Sequence, residues 1–151
     1  MSNNSELAVH ALHALAGAGI DVLELLYSCE FVFHMQVPGR PQGYAWLRDR
    51  ALIINSALYD VSISVKVVLD EGDTVVTRWR GRAVHKGDLL GLQGSGRRIA
   101  VNGITIFRVR DCVITEEWTE FDGLDLLYQH RAPEGSEVPA PRDIETITLP
   151  S

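Results

Sequence analysis

Three side chains are the leading candidates to move a proton near neutral pH: His34, His85 and Glu117. An imidazole titrates close to neutrality and can work in either direction. Glu117 becomes a comparable acid if it is buried against the rings of Trp79 and Phe121, because burial raises a carboxyl pKa. Each has an ordinary competitor: the histidines as hydrogen-bonded structural groups, the glutamate as a solvated charge at a sheet edge. Thr105 and Thr119 add hydroxyls that could polarise a carbonyl. Asp122 has the residue type of a catalyst, but it precedes a helix with Asp125 three positions on, and that spacing favours an N-cap. His10 and His13 lie one helical turn apart with no third ligand at useful spacing, so no metal is expected. Gly91, Gly94 and Gly96 join two strands, without the helix N-terminus or following lysine that a phosphate site needs.

The elements that position these residues follow from hydrophobic period. Residues 103–129, GITIFRVRDCVITEEWTEFDGLDLLYQ, read as two strands around a tight turn at Asp111 and Cys112, then a helix opened by Asp122. Upstream, Ser5 is expected to cap a first helix ending near Ala16, and a second helix spans residues 22–29. Residues 30–35 form a short strand, residues 37–42 a proline-containing loop, and a third helix runs from Tyr44 to about Leu58, amphipathic through Leu47, Ala51 and Ile54. Strands are expected over residues 61–69, 74–85, 99–109 and 113–121, with a turn at 71–73 and a glycine-rich loop over 86–98. Helices first and an antiparallel meander afterwards predict an α+β architecture, a strongly curved sheet wrapped over three N-terminal helices. Alternation puts Trp79, Gly81, Ala83 and His85, Thr105 and Phe107, and Glu117, Thr119 and Phe121 on one face. Ile104, Ile106 and Trp118 fall on the other. A slip of one residue would instead turn Trp118 or Glu120 inward.

Bulk properties narrow the partners. A chain of 151 residues with 46% hydrophobic and 23% charged content fits one domain with a real core. The net charge of -6, with no basic run longer than Arg97-Arg98, argues against nucleic acid and anionic membranes. The two cysteines, Cys29 and Cys112, form no disulfide framework or zinc pattern. The N-terminal segment lacks a basic n-region and its apolar stretch is broken by His10 and His13, so a cytoplasmic protein is expected. From residue 131 the sequence RAPEGSEVPAPRD cannot bury much apolar surface. The expected organisation is therefore a pocket domain over residues 1–130 and a proline-rich arm over 131–151, in which IETIT could dock as an edge strand.

The order strand, turn, strand, Trp118 and Asp-opened helix resembles the SnoaL-like proteins of the nuclear transport factor 2-like superfamily. RWRGRAVHKGDLLGLQGSGRRIAVNGITIFRV, residues 78–109, is similar to that family's strand, glycine-containing turn and strand. Gly43 in PQGYAWL matches the glycine before the third helix. The resemblance implies a cone-shaped barrel around a pocket for small apolar molecules, and a homodimer through the convex sheet face. The family's polyketide cyclases use an Asp acid/base with a neighbouring His, Gln and Asn. Counted from the turn and Asp122, these fall on Thr119, Thr105, Gly103 and near Phe33. The Asp, Arg and second Asp of the related limonene epoxide hydrolases fall on Thr119, Trp79 and Gly81. Cys112 replaces the family's usual turn glycine, with some strain if φ is positive there.

Two functions follow as expectations. The first is a cofactor-independent enzyme that cyclises or isomerises a hydrophobic polyketide-type intermediate, by shape-driven, cycloaddition-like catalysis because both acid/base sets are replaced. His85, His34 and Glu117 are its catalytic candidates. Trp79, Thr105, Phe107, Thr119, Phe121 and Tyr44 are its substrate contacts, with His85 toward the pocket mouth. The second is a non-catalytic binding protein for a hydrophobic metabolite.

Overall fold

The computed structural model describes residues 2–34, 39–133 and 135. Helix α1 spans Asn3–His13, and its N-cap is Ser2 rather than Ser5: the Ser2 hydroxyl accepts the Ser5 N–H at 3.1 Å. Ser5 is instead buried in the first turn. Its hydroxyl and that of Ser2 both donate to Asp70, which holds the Asp70 carboxyl below its ordinary pKa. The chain then kinks at Gly17, with φ at 122°.

A single helical turn, α2 (Leu23–Leu26), leads into strand β1 (Tyr27–His34). The expected second helix therefore ends three residues early, and Tyr27, Ser28 and Cys29 are extended. An isolated helix this short is marginal in water. Strand pairing begins at Tyr27, opposite Ile114, and wins. Helix α3 (Tyr44–Ala57) follows Gly43 as expected.

Strands β2 (Leu58–Glu71), β3 (Thr74–His85), β4 (Arg98–Arg110) and β5 (Val113–Phe121) complete one curved sheet, ordered β1-β5-β4-β3-β2. All neighbours are antiparallel except β1 and β5, which run parallel. The architecture is the expected α+β one, with helices against the concave face. Leu12, Leu23, Phe31, Leu47, Ala51, Val75, Phe107 and Ile114 form its core.

Cross-strand register settles which residues point inward. Thr77, Thr105 and Thr119 lie in one transverse row, and Val75, Phe107, Glu117 and Phe33 in the next. Their partners one residue along point outward; Ile104 is 49% exposed and Glu120 is exposed. The slipped register is excluded.

Helix α4 (Gly123–Arg131) is capped by Asp122, whose carboxylate accepts the Asp125 N–H at 2.9 Å. It lies over the end of β4 that β5 does not reach. There the Gln129 amide accepts the Ala100 N–H at 2.9 Å and donates to its carbonyl at 2.7 Å, satisfying backbone that lacks a strand partner. The arm from residue 136, including IETIT, and residues 35–38 lie outside the described residues. Among the described residues no helix is long and apolar enough to cross a membrane.

The β4–β5 turn holds Asp111 at φ 50° and Cys112 at φ 63°, both left-handed. Such turns suit the strand twist but disfavour residues with a Cβ. Cys112→Gly is therefore expected to stabilise the fold by about 0.5–1 kcal/mol, read as a higher urea midpoint at unchanged slope. An unchanged or lower midpoint would refute strain at Cys112.

Candidate functional site

The concave face carries a continuous hydrogen-bonded file of side chains. Trp79 Nε1 donates to Thr105 Oγ1 at 3.0 Å. Thr105 Oγ1 and Thr119 Oγ1 are 2.9 Å apart, and Thr119 Oγ1 donates to Glu117 Oε1 at 3.0 Å. The other carboxyl oxygen, Oε2, accepts the Tyr27 hydroxyl at 2.9 Å. Strand periodicity explains the assembly: Glu117 and Thr119 are two residues apart on β5, and Thr105 is directly opposite Thr119 on β4. Thr105 is further fixed because its carbonyl accepts the Thr77 hydroxyl at 3.0 Å.

The file has a direction. The indole N–H can only donate, and each threonine has one proton. With Glu117 ionised, Thr119 gives its proton to the carboxylate and Thr105 gives its own to Thr119. Every donor is then committed. With Glu117 protonated, the file can reverse, and one threonine hydroxyl is released for another acceptor.

Trp79 reaches Thr105 because of its cross-strand partner. Trp79 is paired with Gly103, and a β-carbon at Gly103 would lie 2.1 Å from the indole ring. The ring lies across the bare backbone, and no residue with a side chain fits beneath it.

Glu117 is buried, with Phe107 and Phe33 as its paired neighbours rather than Trp79 and Phe121. Burial pushes its pKa from 4.5 up to about 6, opposed by the hydrogen bonds from Tyr27 and Thr119 and by the charge of Arg50. Burial is also the main reason that the Tyr27 phenol is raised well above its usual value, with the Glu117 charge adding to it. Arg50 projects from α3 with its guanidinium carbon 5.5 Å from the Phe33 ring centroid and 5.2 Å from that of Trp46.

Tyr27 and Arg50 belong to this site and escaped the sequence reading. Tyr27 falls within the helix expected over residues 22–29, where nothing marks it as a partner of Glu117. Arg50 carried a signal: it lies three residues after Leu47 and four before Ile54, inside the apolar stripe of α3, where an arginine needs a reason.

The remaining candidates are dispersed. Phe107 is fully buried beside Glu117, and Phe121 is half-buried opposite Gly103. Tyr44 is half-buried at the start of α3. His34 lies on the convex face, its ring stacked on Trp118 at 4.4 Å and its Nε2 3.1 Å from Glu116 Oε1. His85 is buried at the far end of β3, ten residues from Val75 in the Glu117 row, a strand distance of roughly 30 Å. Its ring centroid is 5.7 Å from that of His130 on α4, and its Nε2 has no hydrogen-bond partner among the described residues. The structure thus brings Trp79, Thr105, Thr119, Phe107 and Glu117 together and separates both histidines from them. Among the described residues no three His, Cys, Asp or Glu side chains are grouped to hold a metal.

The sequence profile of the SnoaL-like polyketide cyclases matches residues 7–130 of the chain. The chain belongs to that family. Three solved structures illustrate the SnoaL-like fold it shares. TsrD of Streptomyces laurentii is 27% identical with a TM-score of 0.75, over 87% of this chain and 96% of that one. AclR of Streptomyces galilaeus, described as a candidate hydroxylase, is 20% identical with a TM-score of 0.76, over 89% and 87%. IdmH of Streptomyces antibioticus, a candidate polyketide cyclase, is 24% identical with a TM-score of 0.73, over 85% and 98%. No curated protein matches the sequence.

The raised Glu117 pKa has a stability consequence of definite sign. The folded state favours the neutral carboxyl, so stability is full below the unfolded pKa of 4.5 and falls as pH rises through about 6. At 1.36 kcal/mol per unit the loss is about 2 kcal/mol. Glu117→Gln, which keeps an acceptor and adds a donor, is expected to gain that much over the parent at pH ~8 and little at pH ~4.5. Equal effects at both pH values in denaturant titrations would refute the burial argument.

Proposed function

We propose that this SnoaL-like protein is a cofactor-independent cyclase or isomerase for a hydrophobic polyketide-type intermediate, with Thr119 meeting the substrate and Glu117 receiving the proton behind it. The observation that carries this reading is the 3.0 Å contact between Thr119 Oγ1 and Glu117 Oε1 on the concave face. On our count from the β4–β5 turn and Asp122, Thr119 takes the position where the cyclases carry their Asp. The longer side chain of Glu117, the preceding inward residue on β5, brings a carboxylate to the hydroxyl there. A buried carboxyl with a pKa near 6 is suited to accepting and returning a proton at neutral pH.

The step balances without a redox partner. A substrate C–H or O–H proton passes to Thr119 Oγ1 while the threonine proton passes to Glu117 Oε1, and the reverse sequence reprotonates the rearranged product. Phe107, Trp79 and Phe121 give the apolar surroundings that hold a flexible intermediate in a reactive fold. His34 and His85 have no part in this step.

Because the carboxylate form is required, kcat/KM on a suitable cyclisable β-dicarbonyl substrate is expected to rise with pH through about 6 and then level. Glu117→Gln is expected to remove that inflection and cost ~100-fold, and Thr119→Val to do likewise while Thr119→Ser retains activity. A flat profile with small losses would overturn the proton-transfer account in favour of catalysis by shape alone. A binding protein without turnover is the second reading, favoured by the observation that every donor of the file is committed internally while Glu117 is ionised. Its signature is ligand binding with no product.

We further infer a homodimer through the convex face. Leu69, Val76, Ile106 and Trp118 form a transverse apolar row across four strands, next to the exposed Ile104. Water contact over such a row is unfavourable, and a second copy offers the same surface. Light scattering is expected to give a dimer at micromolar concentration and Ile104→Glu a monomer. A monomeric parent protein would refute the interface.

A further inference from the structure

Arg50 holds its charge over two aromatic rings. Its side chain is half-buried between α3 and the concave sheet face, over the rings of Phe33 and Trp46, with the guanidinium carbon 5.5 and 5.2 Å from their centroids. Among the described residues it makes no hydrogen bond and no ion pair. Burial lowers its pKa, which expresses the cost of holding the cation away from water. The aromatic faces offset part of that cost and leave the N–H donors of the half-buried side chain open to solvent or to a ligand.

Glu117 is the nearby opposite charge, and it does not supply the missing acceptor. Phe33, under the guanidinium, is paired across the sheet with Glu117, so the two charges act on each other electrostatically. Yet Glu117 has its oxygens hydrogen-bonded to Tyr27 and Thr119, and it forms no ion pair with Arg50. A guanidinium with no hydrogen bond or ion pair among the described residues and with aromatic rings beneath it is suited to a carboxylate, which takes two parallel hydrogen bonds from such a fork.

We propose that the cone takes a hydrophobic carboxylic acid, whose carboxylate is received by the Arg50 guanidinium while its apolar body lies against the half-buried Trp46. This deepens the cyclase reading and rests on the same concave face. It adds a substrate class, and it gives Arg50 a positioning role: anchoring one end of the molecule fixes which atom reaches Thr119.

The arrangement couples binding to a proton. A carboxylate on Arg50 cancels the positive charge that lowers the Glu117 pKa and adds a negative charge nearby, and both changes favour the protonated Glu117. Binding therefore raises the Glu117 pKa, so affinity for a carboxylate strengthens as pH falls toward 6, while the ionised Glu117 that the step requires forms in the complex at higher pH than in the free protein. A neutral ligand of the same shape shows no such dependence.

The probes are 2-naphthoate, ionised from pH ~5.5 to ~8, and its neutral isostere 2-naphthamide, titrated calorimetrically into the full chain. The wild type is expected to bind the naphthoate at least ~10-fold more tightly than the amide, by a margin that widens as pH falls. Arg50→Leu is expected to erase the preference while leaving the amide affinity within about twofold. Arg50→Met, which keeps an unbranched stem over Phe33 and Trp46, guards against loss of packing and is expected to behave alike. Arg50→Lys is expected to retain part of the preference, and Glu117→Gln to retain it without the pH dependence. Equal wild-type binding of acid and amide, or an acid preference that survives in both Arg50→Leu and Arg50→Met, overturns the carboxylate proposal and leaves the proton-transfer reading standing. If neither compound binds the wild type, the carboxylate proposal falls and the apolar cone of the cyclase reading falls with it.

Discussion

Much of this structure is organised around the burial of one carboxyl group. Glu117 sits between Phe107 and Phe33 with almost no water contact, and an unsatisfied carboxylate there would cost several kcal/mol. Three separate elements supply what it lacks: Tyr27 at the start of β1, Thr119 from its own strand, and the field of Arg50 from α3. The parallel docking of β1 beside β5 is what carries Tyr27 into range, so the early end of the second helix and the chemistry of the cone have one cause. The helices need no polar residues of their own beyond Arg50 to build the site.

The fold was largely legible because its signals are periodic. Alternation in β3, β4 and β5 gave the inward faces correctly, and Asp122 announced α4 through local capping chemistry alone. What was not legible depended on distance in three dimensions. Tyr27 looks like any apolar helix residue until β1 pairs with β5, since nothing near it in sequence mentions Glu117. His34 was singled out for residue type, which says nothing about face; alternation gave His85 its inward face but not its height along the strand. The inward face of Glu117 could be read, but its surroundings could not, because they come from β1 and β4 rather than from the aromatic residues of its own alternation pattern.

A strand offers a second way to keep a function when a residue type changes. Inward positions recur every two residues, so an acidic group lost at one can be met by a longer side chain from the next. Thr119 and Glu117 are two such successive inward positions, with the Thr119 hydroxyl donating to the Glu117 carboxylate. In the proposed step the hydroxyl makes the proton path longer by one transfer, which would tie the two residues together as a unit.

The pairing of Trp79 with Gly103 restricts how such a cone can change over time. The indole lies where any β-carbon at Gly103 would be. A glycine tolerates many residues across from it, whereas this tryptophan in this pose tolerates only the glycine. The two replacements therefore cannot arrive in either order without cost: the bare backbone has to come first, and once the ring is in place the way back through position 103 is closed.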